Sequence, residues 1–192
     1  MSELKVLISQ EQIAKRVAAM GADITRDFAG EPVFFLGVLK GATIFLSDLA
    51  RNVKLDATFD FIGVSSYGAR PSPEQELRDG WDSTGEVKLT KDVDVSLRDK
   101  NVILVEDILD TGLTLTYVKK LLMARHPKKL CIAALLDKPS RRKQPIHADY
   151  VGFTIPDEFV VGYGLDYAER YRNLPDICFV PRPEALTTEK PK

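Results

Sequence analysis

Val102-Ile103-Leu104-Val105-Glu106-Asp107-Ile108-Leu109-Asp110-Thr111-Gly112-Leu113-Thr114-Leu115 is the stretch that decides how the rest of this chain is read. Four apolar residues, three of them β-branched, predict a buried strand over Asn101 to Glu106. Two adjacent carboxylates, Glu106 and Asp107, end it, and Asp110 follows three residues later. Thr111-Gly112-Leu113-Thr114 is then small and hydroxylated, and it opens a helical pattern reaching about Arg125. A helix start presents free backbone N–H groups and the positive end of a dipole, which suits a phosphate. Carboxylates beside it suit sugar hydroxyls, so the run reads as a place to hold a phosphorylated sugar. The bland alternative is an N-cap, with Asp110 or Thr111 capping the helix. That explains one acid well and three poorly. Neither G-x-G-x-x-G nor G-x-x-x-x-G-K-[ST] occurs here, so the turn is not a dinucleotide fingerprint or a P-loop.

Outward from this run, the chain alternates strands and helices. Ser9 with Gln12 predicts a capping box, and Ile13, Val17, Met20 and Ile24 form the apolar stripe of a helix ending near Gly30. Pro32 to Leu39 reads as a buried strand, Lys40-Gly41 as a turn, Ala42 to Ala50 as a short helix and Thr58 to Ser65 as a strand. Tyr67 to Gly85 is a long polar loop, and Val87 to Leu89 a short strand beyond it. Lys129 to Leu136 is another buried strand, and Tyr150 to Ile155 and Val160 to Tyr163 are short late ones. This order predicts an α/β fold: a mostly parallel sheet with helices on both faces. Ligands in such sheets lie beyond the C-terminal strand ends. Lys40-Gly41, the three acids and Asp137-Lys138 all fall at such ends.

The totals set bounds. The 192 residues suit one α/β domain, and 44% hydrophobic with 29% charged is ordinary for a globular chain. A net charge of −1 gives no global attraction to nucleic acid or to an anionic membrane. No apolar run is long enough to span a bilayer, and Met1-Ser2-Glu3-Leu4-Lys5 is not a signal peptide, so a cytoplasmic location is expected. Cys131 and Cys178 each sit in an apolar run and read as core thiols. His126 and His147 are isolated, which gives no zinc cluster.

Val102 to Thr114 resembles the phosphoribosyl-diphosphate signature of the type I phosphoribosyltransferases. Further pieces narrow the resemblance to the hypoxanthine-guanine members: Leu39-Lys40-Gly41-Ala42, Ser66-Tyr67, Ser83-Thr84-Gly85, Asp137-Lys138, Phe159-Val160-Val161-Gly162-Tyr163, and Leu165-Asp166-Tyr167 through Arg172. It spans roughly residues 6 to 182.

The resemblance implies one phosphoribosyltransferase domain over 1–182, a mostly parallel twisted sheet flanked by helices. It also implies a small hood from the N-terminal segment and about 138–180, a lid loop over about 66–86, and a tail over 183–192. The implied reaction joins N9 of hypoxanthine or guanine to phosphoribosyl diphosphate, giving IMP or GMP and pyrophosphate in purine salvage. Glu106 and Asp107 would take the ribose hydroxyls. Asp110, Thr111, Gly112, Leu113 and Thr114 would hold the 5′-phosphate, and Asp110 would also accept or share the purine N7 proton. Lys40, Gly41 and Arg172 would bind pyrophosphate, with a cis peptide before Lys40. Lys138, Phe159, Val160 and Asp166 would form the purine side, Lys138 donating to the oxygen at C6 and Phe159 stacking. Mg²⁺ is the implied cofactor, held toward Glu106, Asp107 and Asp166. Ser66 and Tyr67 belong to the lid.

Taken alone, Lys138 also reads as a solvated lysine in a basic run, Phe159 as a core aromatic, Lys40-Gly41 as a plain turn and Arg172 as a surface ion pair. The implied partners are phosphoribosyl diphosphate, 6-oxopurine bases, purine nucleotides and copies of the same chain in a homodimer or homotetramer. The chain departs from the family pattern in the segment Gly68 to Asp82, which carries the lone Trp81 and reads as a longer lid, as a surface packed on a neighbouring subunit or as a disordered stretch. A xanthine-preferring enzyme is the near alternative. A ligand-sensing regulator is the distant one, against which both Asp110 and Lys138 speak.

Overall fold

The computed structural model describes residues 4–66 and 87–179. Within them, six strands form the main sheet: β2 (Val33–Leu39), β3 (Ala57–Ser66), β4 (Val87–Lys91), β5 (Asn101–Leu109), β6 (Lys129–Asp137) and β7 (Tyr150–Thr154). Their order is β4-β3-β2-β5-β6-β7, parallel throughout except for the β3–β4 pair. Three helices join them: α1 (Gln10–Asp27), α2 (Thr43–Asn52) and α3 (Leu113–Met123). A second sheet, β1-β9-β8, is built from β1 (Lys5–Ile8), β8 (Val160–Val161) and β9 (Ile177–Phe179). Tyr67, the remainder of the expected lid, Trp81 and the 183–192 tail lie outside the described residues.

The strand alternation sorts the core into two layers. Phe35, Ile103, Val105, Cys131, Ala133 and Leu135 face α1 and α2. Phe34, Leu36, Val102, Leu104, Ile132 and Ala134 face the other way and pack with Leu115, Val118 and Leu122 of α3. These strands are apolar on both faces because both faces are covered, which is why their sequences show no alternation. Both cysteines are buried and unpaired. The Ser9 box is formed: Gln12 N–H donates to Ser9 Oγ at 3.4 Å, and Ser9 N–H donates to Gln12 Oε1 at 2.8 Å. No helix among the described residues is long and apolar enough to cross a membrane.

Three expectations need correction. β5 does not stop at Glu106. Its ladder to β6 continues through Glu106↔Ala134, Ile108↔Leu136 and Leu109↔Asp137, because Ile108 and Leu109 keep packing against the core. β1 and β9 were not expected at all. Each is short, and each is stabilised by pairing with the other across almost the full chain. Tyr150–Thr154, inside the span expected for the hood, pairs parallel with β6 and extends the main sheet, with Tyr150 and Phe153 packed on its core.

Candidate active site

The C-terminal ends of β2 and β5 face a cleft of about 480 Å³. Lys40, Gly41, Ser65, Glu106, Asp107, Thr114, Asp166, Glu169 and Arg172 line it. Seven residues singled out in the sequence therefore meet there: Lys40, Gly41, Glu106, Asp107, Thr114, Asp166 and Arg172. Ser66 is the last residue of β3, beside Ser65.

Glu106 and Asp107 sink into the cleft floor. Burial raises the Glu106 pKa well above the ordinary carboxylate range, and the charge of Asp107 raises it further. Burial raises Asp107 too, opposed by hydrogen bonds from Glu106 and from the Ile108 N–H and by the positive charge of Arg172. The two carboxyls share a hydrogen bond. Ile108 N–H donates to Asp107 Oδ1 at 2.8 Å, fixing that carboxylate. Glu106 Oε2 is buried without a hydrogen-bond partner, an acceptor for which a hydroxyl or a cation is the natural complement.

Gly41 lies directly against this floor. The Leu39–Lys40 peptide before it is cis. A Cβ on Gly41 would lie 1.6 Å from Asp107 Oδ2, so no larger residue fits beside the acid as placed. Opposite, Arg172 Nη2 pairs with Asp166 Oδ1 at 2.8 Å, and Nη1 donates to Gly164 O at 2.8 Å. Its Nε is buried without a partner. Lys40 Nζ lies 2.9 Å from Glu169 Oε2.

The turn after β5 leads straight into α3. Gly112 is the N-cap of α3 with φ +83°, a left-handed conformation that glycine adopts without steric penalty. It caps no amide with a side chain, and the first turn of α3 carries no acid. Thr111 O accepts from the Lys143 and Gln144 N–H groups at 2.9 and 3.2 Å, which ties the turn to the segment after β6. Leu113 N–H points toward Thr111 Oγ1 at 3.4 Å. The remaining first-turn amides have no acceptor within the helix.

Asp110 faces a different group. Lys138 N–H donates to Leu109 O at 3.0 Å, which brings the ends of β5 and β6 together. The Lys138 side chain is buried, with Nζ 3.9 Å from Asp157 Oδ1. Arg141 Nε stands 3.1 Å from Asp110 Oδ1, and Nη1 stands 3.7 Å from Asp157 Oδ1. Asp110 Oδ1 is near that cation yet receives no well-aimed hydrogen bond. Burial raises the Asp110 pKa, and the charge of Asp157 adds to it. Arg141, Lys138 and Arg142 oppose the rise, and the net direction is upward. Arg142 donates to Leu109 O and Asp110 O at 3.1 and 2.8 Å and pairs with Asp137.

Val160 is buried in β8, and the Phe159 ring packs edge-on against Tyr167, with centroids 5.7 Å apart. Lys138, Phe159 and Val160 thus stand apart from the cleft lining, whereas Asp166 belongs to it.

Four residues here carry no motif of their own in the sequence. Arg141 and Arg142 were only the surroundings of Lys138 in a basic run. Asp157 and Glu169 lie in short segments without periodicity. Their one available signal was proximity to Phe159 and to Asp166.

Residues 6–168 match the family model of the phosphoribosyl transferase domain. Over 173 residues the chain is 49% identical to a hypoxanthine-guanine phosphoribosyltransferase of Bacillus subtilis, covering 90% of this chain and 91% of that one. A crystal structure of a hypoxanthine-guanine phosphoribosyltransferase from Bacillus anthracis superposes with a TM-score of 0.83 at 50% identity, covering 93% of this chain and 100% of that one. A hypoxanthine phosphoribosyl transferase from Trypanosoma cruzi gives a TM-score of 0.83 at 36% identity, covering 94% and 92%.

Proposed function

The chain belongs to the phosphoribosyltransferase family, among its hypoxanthine-guanine members, and we propose that it transfers the phosphoribosyl group of phosphoribosyl diphosphate to N9 of hypoxanthine or guanine. The observation that carries this reading is the division of one strand end. Glu106 and Asp107 line the cleft shared with Lys40, Asp166 and Arg172, while Asp110, three residues on, pairs with Arg141 within the electrostatic reach of the buried Lys138.

In this reading the 5′-phosphate takes the amides and hydroxyls of Thr111 to Thr114, and the ribose hydroxyls meet Glu106 and Asp107. Pyrophosphate leaves between Lys40-Gly41 and Arg172, whose planar fork suits two phosphate oxygens. Its buried Nε has donor capacity to offer. Bond breaking ahead of attack places positive charge on the sugar, which the floor carboxylates stabilise. Asp110 takes the N7 proton as N9 attacks, and the burial that raises its pKa suits a proton acceptor. Lys138 is a pure donor, so it selects an oxygen at C6 over an amino group. Phe159 and Val160 complete the purine side.

The hard oxygen donors of Glu106, Asp107 and Asp166 fit Mg²⁺, and the unpartnered Glu106 Oε2 is consistent with that. Among the described residues no three acidic, His or Cys groups converge on one point, so substrate oxygens would complete such a site. When bound, the ion neutralises the diphosphate leaving group. A homodimer or homotetramer is the assembly we propose, to be read by light scattering. A single panel tests the reaction: purified protein, Mg²⁺ and phosphoribosyl diphosphate with hypoxanthine, guanine, xanthine or adenine. Nucleotide should form with hypoxanthine and guanine. Preference for xanthine would shift the substrate assignment, and silence with every oxopurine would end the enzymatic reading.

A further inference from the structure

Glu169 is an acid set between two cations of the cleft, Lys40 and Arg172. The segment around it is a tight hairpin: Tyr167 and Arg170 exchange backbone hydrogen bonds at 3.1 and 3.0 Å, and Ala168 and Glu169 both take left-handed φ values of 51° and 64°. Asp166 ties the tip down. Its Oδ2 accepts from the Glu169 N–H at 2.8 Å, while its Oδ1 holds Arg172. The Glu169 carboxylate is thereby aimed across the cleft. Its Oε2 lies 2.9 Å from Lys40 Nζ, and both oxygens lie 3.5 Å from Arg172 Nη2. One carboxylate thus touches the cation on the β2 turn and the cation on the hairpin's far side.

We propose that Glu169 is a positioning residue that spaces Lys40 and Arg172 across the cleft and competes with the diphosphate for them, thereby setting how tightly diphosphate-bearing ligands are held. This rests on the assignment of Lys40 and Arg172 to pyrophosphate made above. A diphosphate carries more charge than one carboxylate and can also engage Arg172 Nε, which Glu169 does not reach, so it displaces Glu169 rather than being excluded. The side chains of Lys40 and Glu169 are 67% and 55% exposed, so the competition is modest and screened by salt. Its consequence is release: an acid that returns to the two cations favours departure of the product pyrophosphate.

The test is titration of inorganic pyrophosphate with Mg²⁺ into wild type, Glu169→Gln and Glu169→Asp by calorimetry, together with KM for phosphoribosyl diphosphate. Glu169→Gln keeps the shape and loses the charge. It should lower both constants about two- to fivefold, as expected for removing a competing exposed ion pair. The gain should shrink in 0.5 M salt, and KM for hypoxanthine should not move. Glu169→Asp, whose carboxylate is drawn back from Lys40, should lie between the two. A merely structural ion pair predicts the reverse, weaker pyrophosphate binding insensitive to salt, and that result or an unchanged Kd overturns the proposal. Lys40→Ala separates the premise from the proposal. It should raise the pyrophosphate Kd about tenfold, and if it does not, the assignment of Lys40 fails and the competition falls with it.

Discussion

Gly41→Ala is the smallest change that tests how the cleft floor is built. The three heavy atoms nearest a Cβ on Gly41 all belong to the Asp107 side chain, at 1.6, 2.5 and 3.2 Å. Real Cβ atoms essentially never approach closer than 3.0 Å, so Asp107 Oδ2 must retreat by about 1.4 Å. It cannot retreat freely, because Ile108 N–H holds the same carboxylate at 2.8 Å and Glu106 shares a hydrogen bond with it. Overpacking of this kind costs about 1–3 kcal/mol. For a chain of this size that corresponds to a fall in Tm of roughly 2–12 °C. A displacement above 1 Å at a substrate-positioning group costs about 10²-fold in rate, or about 2.7 kcal/mol of transition-state stabilisation. Gly41→Ala should therefore lower kcat/KM for phosphoribosyl diphosphate about 100-fold, with far-UV circular dichroism unchanged.

A double-mutant cycle isolates the cause. Asp107→Ala removes all three clashing atoms, so adding Gly41→Ala to it should produce no further loss of Tm. The reasoning is refuted if Gly41→Ala retains kcat/KM within threefold of wild type, or if it destabilises the Asp107→Ala protein as much as the wild type.

Three more outcomes follow from the same geometry. Asp110→Asn should reduce kcat by about 10²–10⁴-fold, the range for loss of a proton acceptor, while calorimetry shows phosphoribosyl-diphosphate binding largely intact; unchanged turnover would exclude Asp110 from proton transfer. Gly112→Ala places a methyl group 2.6 Å from Ile146 Cγ2 at a φ of +83°, so it should cost about 1–3 kcal/mol in denaturant titration and weaken binding of the 5′-phosphate product. Burial raises the Asp60 carboxyl, but the Asp94 and Phe61 N–H groups and Lys91 outweigh it and hold its pKa below the ordinary value. The folded state therefore binds that proton less readily than the unfolded one. The stabilisation is complete above the unfolded carboxylate pKa and disappears as pH falls through the lower folded value, so Tm should drop more steeply below about pH 4 in wild type than in Asp60→Asn.

What could be read from the sequence is what local chemistry determines. The central strands announced themselves because burial on both faces demands uninterrupted Val, Ile, Leu and Phe, and the Ser9–Gln12 box did so because its two hydrogen bonds span three residues. The strand that carries the acids was located, but its end was not. Charged side chains look like termination, whereas the β5–β6 ladder needs only backbone groups and runs on to Leu109. β1 and β9 were invisible for a related reason: neither short strand stands alone, and the partner that completes each lies at the other end of the chain. The site divides in the same way. Groups contiguous in the chain, such as Glu106, Asp107, Asp110 and the turn to Thr114, were legible as a motif. Groups defined by what they face were not. Arg141 matters because the close of β6 sets it 3.1 Å from Asp110, and Glu169 because a hairpin aims it at Lys40, 129 residues away. The charges set beside these acids and cations are tertiary facts, and single substitutions at Arg141 and Glu169 therefore probe the fold's contribution more directly than substitutions within the motif.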